Sequence, residues 1–325
     1  MGGRGDRIEI RRAEPSDHAA VLGLFRQTLG WQDGDPNEDF FAWKHRANPV
    51  GPSPEWVATH DGAVVGYRTL LRWRFTDDTG KPVSAFRAVD TATHPEFQGL
   101  GIFRRLTLHA VSELTRADEG IIFNTPNTQS GPGYLKMGWQ QVGRLLVGVL
   151  PSGPRSLRTM LTSRVPAELW SRPTTVGVDA REAFADPSFA EHLLQHAPAR
   201  GFRTTRTPEY LAWRTAFGPL AYRVLLASPA DPAEGGVVFR LRRRGAATEV
   251  VIVEQLTPDR RTGAALVARV VRSTGADYAI GLRAGPSAGL LPVPGQGPVL
   301  MARALGSGPP PPSSWVLTMG DVELL

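Results

Sequence analysis

Asp90-Thr91-Ala92-Thr93-His94-Pro95-Glu96-Phe97-Gln98-Gly99-Leu100-Gly101-Ile102-Phe103-Arg104-Arg105-Leu106 reads as a strand that breaks into a glycine turn and runs directly into a helix. Ahead of it, Val83 to Val89 is rich in β-branched and aromatic residues; behind it, Ile102, Leu106, Leu108, Val111 and Leu114 recur at roughly helical spacing. A turn of this kind points several backbone N–H groups and the positive end of the helix dipole into one concavity, which suits a phosphate or pyrophosphate. Glycine serves there because a side chain would block close approach.

Gly-x-Gly alone also describes an ordinary tight turn. The series Gln98-Gly99-Leu100-Gly101-Ile102, however, resembles the pyrophosphate-binding signature of the GNAT superfamily of acyl-CoA-dependent N-acyltransferases: Gln or Arg, two residues, Gly, one residue, then Gly or Ala. Gln98 and Gly101 match, and Phe103 departs from the small residue. Downstream, Gly133-Tyr134-Leu135-Lys136-Met137-Gly138-Trp139 is similar to the family's Tyr-x-Lys-x-Gly-aromatic segment. About one helix and one strand, Gly120 to Thr125, separate the two motifs, as the resemblance requires.

The resemblance implies an α/β (α+β) fold, a mixed and mostly antiparallel sheet flanked by helices. It also implies acetyl-CoA or another acyl-CoA as donor, with no metal. Gln98, Gly99, Leu100, Gly101, Ile102 and Phe103 would take the pyrophosphate. Strand residues Val89, Thr91, Ala92 and Thr93 would contact the donor, a backbone N–H between Val89 and Ala92 holding the thioester oxygen as charge develops on it. Asn124, Asn127 and Ser130 are short polar groups at the level where the family splays two strands apart, and each reads equally as a loop cap. Tyr134 is the expected general acid for the departing thiolate. For the base, Asp90 is preferred to His94: Asp90 lies nearer the expected thioester, whereas His94 has the better unperturbed pKa. An Asp base would need a raised pKa or a water relay, and deprotonation by solvent is a further route.

At 325 residues the chain is long for one domain. Hydrophobic content of 41% with 8% aromatics supplies real cores, and no run of about 18 apolar residues offers a membrane span. Met1 to Asp6 lacks an apolar signal region, and the absence of Cys excludes disulfides, thiolate metal sites and a Cys nucleophile. Together these point to the cytoplasm. The net charge of +6 raises the question of nucleic acid, but the basic residues are scattered among acids, and Lys occurs only at Lys44, Lys81 and Lys136. The densest run, Arg240-Leu241-Arg242-Arg243-Arg244, reads as a solvated strand end.

Taken in order, Ile8 to Arg11 is a short strand, Glu14 to Asp17 starts a helix, and Asn37 to His45 is a second helix stopped by Asn48-Pro49. Trp31, Phe41 and Trp43 are expected as aromatic core in preference to substrate contacts. The hairpin from Trp56 to Leu70 leads to the central strand. Residues 1–150 are expected to form the acyl-CoA domain and 151–175 a Pro/Ser/Arg-rich linker with a short helix.

Residues 176–325 repeat the order of the first half: Phe41-Ala42-Trp43-Lys44 is echoed by Leu211-Ala212-Trp213-Arg214, and Val83 to Pro95 by Glu249 to Pro258. Asp259-Arg260-Arg261-Thr262-Gly263 replaces the glycine turn, so this tandem copy has lost the chemistry and would complete the acceptor site or stabilise the first half. The Pro309 to Pro312 run is expected as a stiff spacer before a last strand.

The expected activity is N-acyl transfer from acyl-CoA to a primary amine of a small molecule by a monomer or homodimer, with no membrane involved and no nucleic-acid partner. Asp90, Asp321 and Glu323 would favour a cationic amine. Two alternatives are a transferase fed by aminoacyl-tRNA or a carrier protein docking on Arg240 to Arg244, and a non-catalytic acyl-CoA-binding module.

Overall fold

The computed structural model describes residues 7–116, 120–163, 165–229, 231–282, 289–306, 310 and 312–323. Met1 to Asp6, Pro309 and Pro311 lie outside them. The first half runs β1 (Ile8–Arg12), α1 (His18–Thr28), α2 (Asn37–His45), β2 (Glu55–His60), β3 (Ala63–Thr76), β4 (Pro82–Thr93), α3 (Ile102–Arg116), β5 (Ile121–Asn124), α4 (Gly131–Lys136), β6 (Gln140–Arg144) and β7 (Val147–Pro151). There follow α5 (Pro154–Thr162), β8 (Val178–Asp179), α6 (Ala180–Ala183), α7 (Pro187–Leu194), β9 (Phe202–Thr204), α8 (Pro208–Thr215), β10 (Arg223–Ser228), β11 (Asp231–Arg244), β12 (Ala247–Leu256), α9 (Arg260–Thr274), β13 (Tyr278–Leu282), β14 (Leu291–Pro292), β15 (Val299–Ala304) and β16 (Trp315–Val316).

Among the described residues there are two mixed sheets. The first is ordered β1-β2-β3-β4-β5-β15-β6, with β9 on the far end of β3 and β16 beside β9; the second is ordered β14-β7-β13-β12-β11-β10-β8. Apart from the short β9 and β16 pair, each sheet has one parallel neighbour pair, β4 with β5 and β12 with β13, and the remainder is antiparallel. α3 follows β4, and α9, also 15 residues long, follows β12.

The sheets exchange strands. β7 lies against β13 and β14 of the second sheet, and β15, from late in the chain, inserts between β5 and β6 of the first. The division expected at residue 150 therefore falls inside a strand whose partners all belong to the second sheet. The segment 151–175 carries α5 at its start and is then tied down, with Ser171 N donating to Pro219 O at 3.0 Å and Arg172 N to Leu241 O at 2.9 Å.

Packing follows from the apolar periodicity. Ile102, Leu106, Val111 and Leu114 of α3 cover one face of the first sheet with Trp56, Leu70, Phe86 and Ile122. Phe25 of α1 and Phe41 of α2 cover Val57 and Tyr67. The other face meets the second sheet in a shared core holding Trp43, Leu71, Trp73 and Phe123 together with Tyr210, Trp213, Val238 and Val251. At its centre α2 and α8 are joined reciprocally: Trp43 Nε1 donates to Trp213 O at 2.6 Å, and Trp213 Nε1 to Trp43 O at 2.8 Å. Phe41 and Trp43 are thus core, and Trp31 packs edge-on to Phe25.

Candidate active site

β4 and β5 pair only from Ala85↔Ile121 to Arg87↔Phe123. Beyond that point they part, and a cleft of about 390 Å³ opens between Ala88 to Thr91 on one side and Asn124 to Pro126 on the other, with Lys44, Arg68, Arg87, Ser130, Tyr134 and Val322 completing its walls. A larger cavity of about 660 Å³ lies at the opposite end of the β3–β4 hairpin, around Asp77 and Lys81. None of the motif residues lines it, so the chemistry and not the volume selects the smaller cleft.

The cleft is shaped by a β-bulge. Arg68 faces Thr91 and Thr69 faces Val89, which leaves Asp90 as the extra residue, with φ +38°. A left-handed non-glycine conformation is uncommon, Asp being among the residues that tolerate it, and here neighbours hold it in place. Asp90 Oδ2 lies 2.8 Å from Lys44 Nζ and 2.8 Å from His45 Nε2. Lys44 and His45 end α2, their side chains 4% and 0% exposed, and His45 Nδ1 meets Ser53 Oγ at 3.0 Å. Burial alone would raise the Asp90 carboxyl, but the Lys44 ammonium and the hydrogen bond from His45 outweigh it and hold Asp90 well below the usual carboxylate range. Burial lowers His45, against the pull of Asp90, so the imidazole is neutral near pH 7.

Tyr134, on α4, is 3% exposed, and its hydroxyl accepts a hydrogen bond from Arg68 Nη1 at 2.9 Å. The oxygen being an acceptor in that contact, its own O–H is free to donate into the cleft. Phe103 lies edge-on to the Tyr134 ring at 5.4 Å and 88°, and a Cβ on Gly133 would stand 3.3 Å from the Phe103 ring. The residue that departs from the signature thus buttresses the tyrosine.

The glycine turn fits a pyrophosphate. Gly99 and Gly101 have φ of +79° and +72°, and nothing lies within 4 Å of a Cβ built on either, so the concavity is open on that side. The first N–H groups of α3 face it with no intrahelical acceptor. Ile102 is core, Leu100 and Phe103 pack at the edge of that core, and Gln98 is exposed at the end of the preceding turn. These residues would hold the diphosphate of an acyl-CoA, and the parted edges of β4 and β5 its pantetheine arm.

The other expected residues divide. Val89 and Thr91 line the cleft, whereas Ala92 points into the α1 core and Thr93 pairs with Gly66. His94 caps the turn after β4, its Nδ1 accepting from Glu96 N at 3.3 Å, and does not line the cleft. Asn127 spends its side-chain oxygen on Gln129 N, Ser130 N and Ser130 Oγ, at 3.1, 2.8 and 2.9 Å, and is a loop cap. Asn124 is buried in the cleft wall with its Oδ1 unpartnered.

Two charge readings change. Arg240, Arg242 and Arg244 are not a solvated docking surface. Arg240 is 0% exposed and bonds Glu323 at 2.7 Å, while Arg242 and Arg244 clamp Glu249 at 2.5 and 3.1 Å. Alternation along β11 turns all three to one face, where acids await them. Asp321 and Glu323 are likewise buried and paired, Asp321 with Arg206 at 3.0 Å. With Asp90 also paired, none of the three carboxylates is left to attract a cationic amine. Their segment is pinned by Arg87, which donates to Asp321 O and to Val322 O, and so brings Val322 to the cleft. Lys44, His45, Arg68, Arg87 and Val322 escaped the sequence reading. The four titratable residues carry one signal, a charge set among apolar neighbours on a helix or strand, and Val322 carries none.

Residues 9–142 match the family model described as an acetyltransferase (GNAT) domain. A comparison with curated protein sequences returns no match. Among solved structures, the chain is similar to a GCN5-related N-acetyltransferase from Anabaena variabilis, with TM-score 0.65 and 18% identity, covering 92% of this chain and 73% of that one. It is similar also to a probable N-acyltransferase from Enterococcus faecalis, with TM-score 0.63 and 15% identity over the same shares. Eis1 from Mycobacterium abscessus gives TM-score 0.56 and 13% identity, again over 92% and 73%. At these identities the likeness is one of fold.

Proposed function

We propose, for a chain whose residues 9–142 match the acetyltransferase (GNAT) domain model, that the protein transfers an acyl group from acyl-CoA to a primary amine, with Tyr134 returning a proton to the leaving thiolate. The observation that carries this reading is the position of Tyr134: its free O–H faces the cleft where β4 and β5 part, next to the open glycine turn. Bound acyl-CoA supplies the activated thioester. The chain orients it: helix α3 and the turn anchor one end, and the bulge at Asp90 takes that residue's backbone out of the ladder beside the cleft, available to a developing oxyanion.

Asp90 is not the base in this account. Moving a proton from an alkylammonium near 10.4 to an ordinary carboxylate near 3.9 is uphill by about 9 kcal/mol, and Lys44 makes Asp90 a weaker base still. The amine is taken up already neutral, its proton lost to solvent, and Asp90 fixes the bulge and the Lys44 ammonium. His94 keeps its place as a cap. Thiol release from acetyl-, propionyl- and longer acyl-CoAs over a panel of amines tests the reading, with Tyr134→Phe as control. Amine-dependent release that the variant loses supports it; a folded parent that releases no thiol with any pair overturns it.

A further inference from the structure

Arg68 is the most conspicuous charge in the molecule that the fold does not need. It sits on β3 in the wall of the cleft, 0% exposed, and of its three guanidinium nitrogens only Nη1 has an acceptor, the Tyr134 hydroxyl; Nε and Nη2 are buried with no partner. Burying a guanidinium with donors unmet is costly. The second sheet skips a residue at the same register without one. There Val238 faces Glu254 and Phe239 faces Ile252 across a skipped Val253, so Val238 occupies the register of Arg68 and Val253 that of Asp90. The pairing register is met there with valine at both positions, although Val253 lacks the left-handed backbone of Asp90, so the register alone does not call for an arginine at position 68.

We propose that Arg68 is a catalytic residue that binds the sulfur of the departing CoA thiolate through Nε and Nη2. The inference rests on the acyl transfer proposed above. Nη1 ties the guanidinium to the very hydroxyl that faces the reacting end, and the Phe103 and Tyr134 rings flank it at 5.8 and 5.6 Å from Cζ. A thioester sulfur is a poor hydrogen-bond acceptor and a thiolate a strong one. The contact therefore strengthens as the C–S bond breaks, which is the condition for it to accelerate the reaction. The amine nitrogen forms the new C–N bond and gives up its extra proton to solvent. The C–S electron pair stays on sulfur, which takes the Tyr134 proton and leaves as the thiol. Solvent then reprotonates the tyrosine.

The test needs no acceptor. Calorimetry of CoA and of desulfo-CoA across pH 7 to 9 is combined with the ultraviolet thiolate band of bound CoA. The account expects the thiol of bound CoA to titrate at least one pH unit below that of free CoA, equivalent to tenfold tighter binding of the thiolate, while desulfo-CoA binding stays flat. Arg68→Gln removes the shift, Tyr134→Phe keeps it, and Arg68→Lys, which retains the buried charge, keeps part of it. Desulfo-CoA binding with no thiol shift in the parent, or a shift that persists in Arg68→Gln, overturns the role of Arg68 and leaves the donor site standing. A folded parent that binds neither ligand overturns the donor site itself.

Discussion

Replacing Asp90 by Asn separates an anchor from a base. Among the described residues the carboxylate is the one anion set against Lys44, whose ammonium is otherwise opposed by burial and by the like charges of Arg87 and Arg214. Removing one member of a buried ion pair costs about 3 to 5 kcal/mol. Asn tolerates the left-handed backbone as well as Asp does and still offers Lys44 an oxygen, so the lower end, about 3 kcal/mol, is expected. At roughly 2 to 4 °C per kcal/mol, thermal unfolding at pH 7.5, followed by circular dichroism, should fall by about 6 to 12 °C. The folded fraction should keep a pH–rate profile governed by the amine. A general base would behave oppositely, losing about 100- to 10,000-fold in kcat with little change in Tm. Unchanged Tm together with a 100-fold loss of kcat would refute the anchor argument and restore Asp90 as base.

Three further outcomes follow from the same geometry. Tyr134→Phe should lower kcat by about 100-fold or more while acyl-CoA affinity, measured by calorimetry, changes less than threefold. His45 is held neutral by burial, so its folded pKa lies below the unfolded value near 6.5. The unfolded chain then binds the extra proton, and stability falls as pH drops through about 6.5, by up to about 1.4 kcal/mol per unit; denaturant unfolding at pH 7.5, 6.5 and 5.5 should show this slope, and His45→Gln should flatten it. Trp43→Phe keeps an aromatic side chain but removes the indole N–H that donates to Trp213 O and part of a buried bicycle, which should cost about 1 to 3 kcal/mol for the hydrogen bond and more for the space left behind in the same unfolding assay, without altering CoA affinity.

Much of the fold was legible because its signals are local. Pro49 and the apolar spacing of Phe40, Phe41 and Trp43 mark α2, which runs from Asn37 to His45 as expected. The echo of Trp43 in Trp213 points to the pair that meets in the core. The strand exchange was not legible: β7 and β15 are short apolar segments, and nothing in such a segment says which of two similar sheets it will complete. The charged residues failed for a related reason. The run from Arg240 reads as a solvated strand end, and Arg68 and Arg87 carry no local mark of burial, because the partners of all three lie 66 to 235 residues away, at Tyr134, Val322 and Glu323. The glycine turn and Tyr134 were found from motif spacing. Their neighbour Arg68 was missed, since only the pairing register of β3 and β4 places it beside the cleft.

A donor site in the first half stands or falls on calorimetric titration of acetyl-CoA into the parent and into Gly101→Glu. The substitution meets no atom within 4 Å at Cβ, so its structural cost is confined to the left-handed backbone at φ +72°, about 1 to 2 kcal/mol. Its carboxylate, about 5 Å from a bound diphosphate charge, opposes binding by about 3 kcal/mol at an effective dielectric near 20. Micromolar binding by the parent and more than 100-fold weaker binding by the folded variant is the predicted result. Equal affinity in the two proteins, or none in the parent for any acyl-CoA, would contradict it.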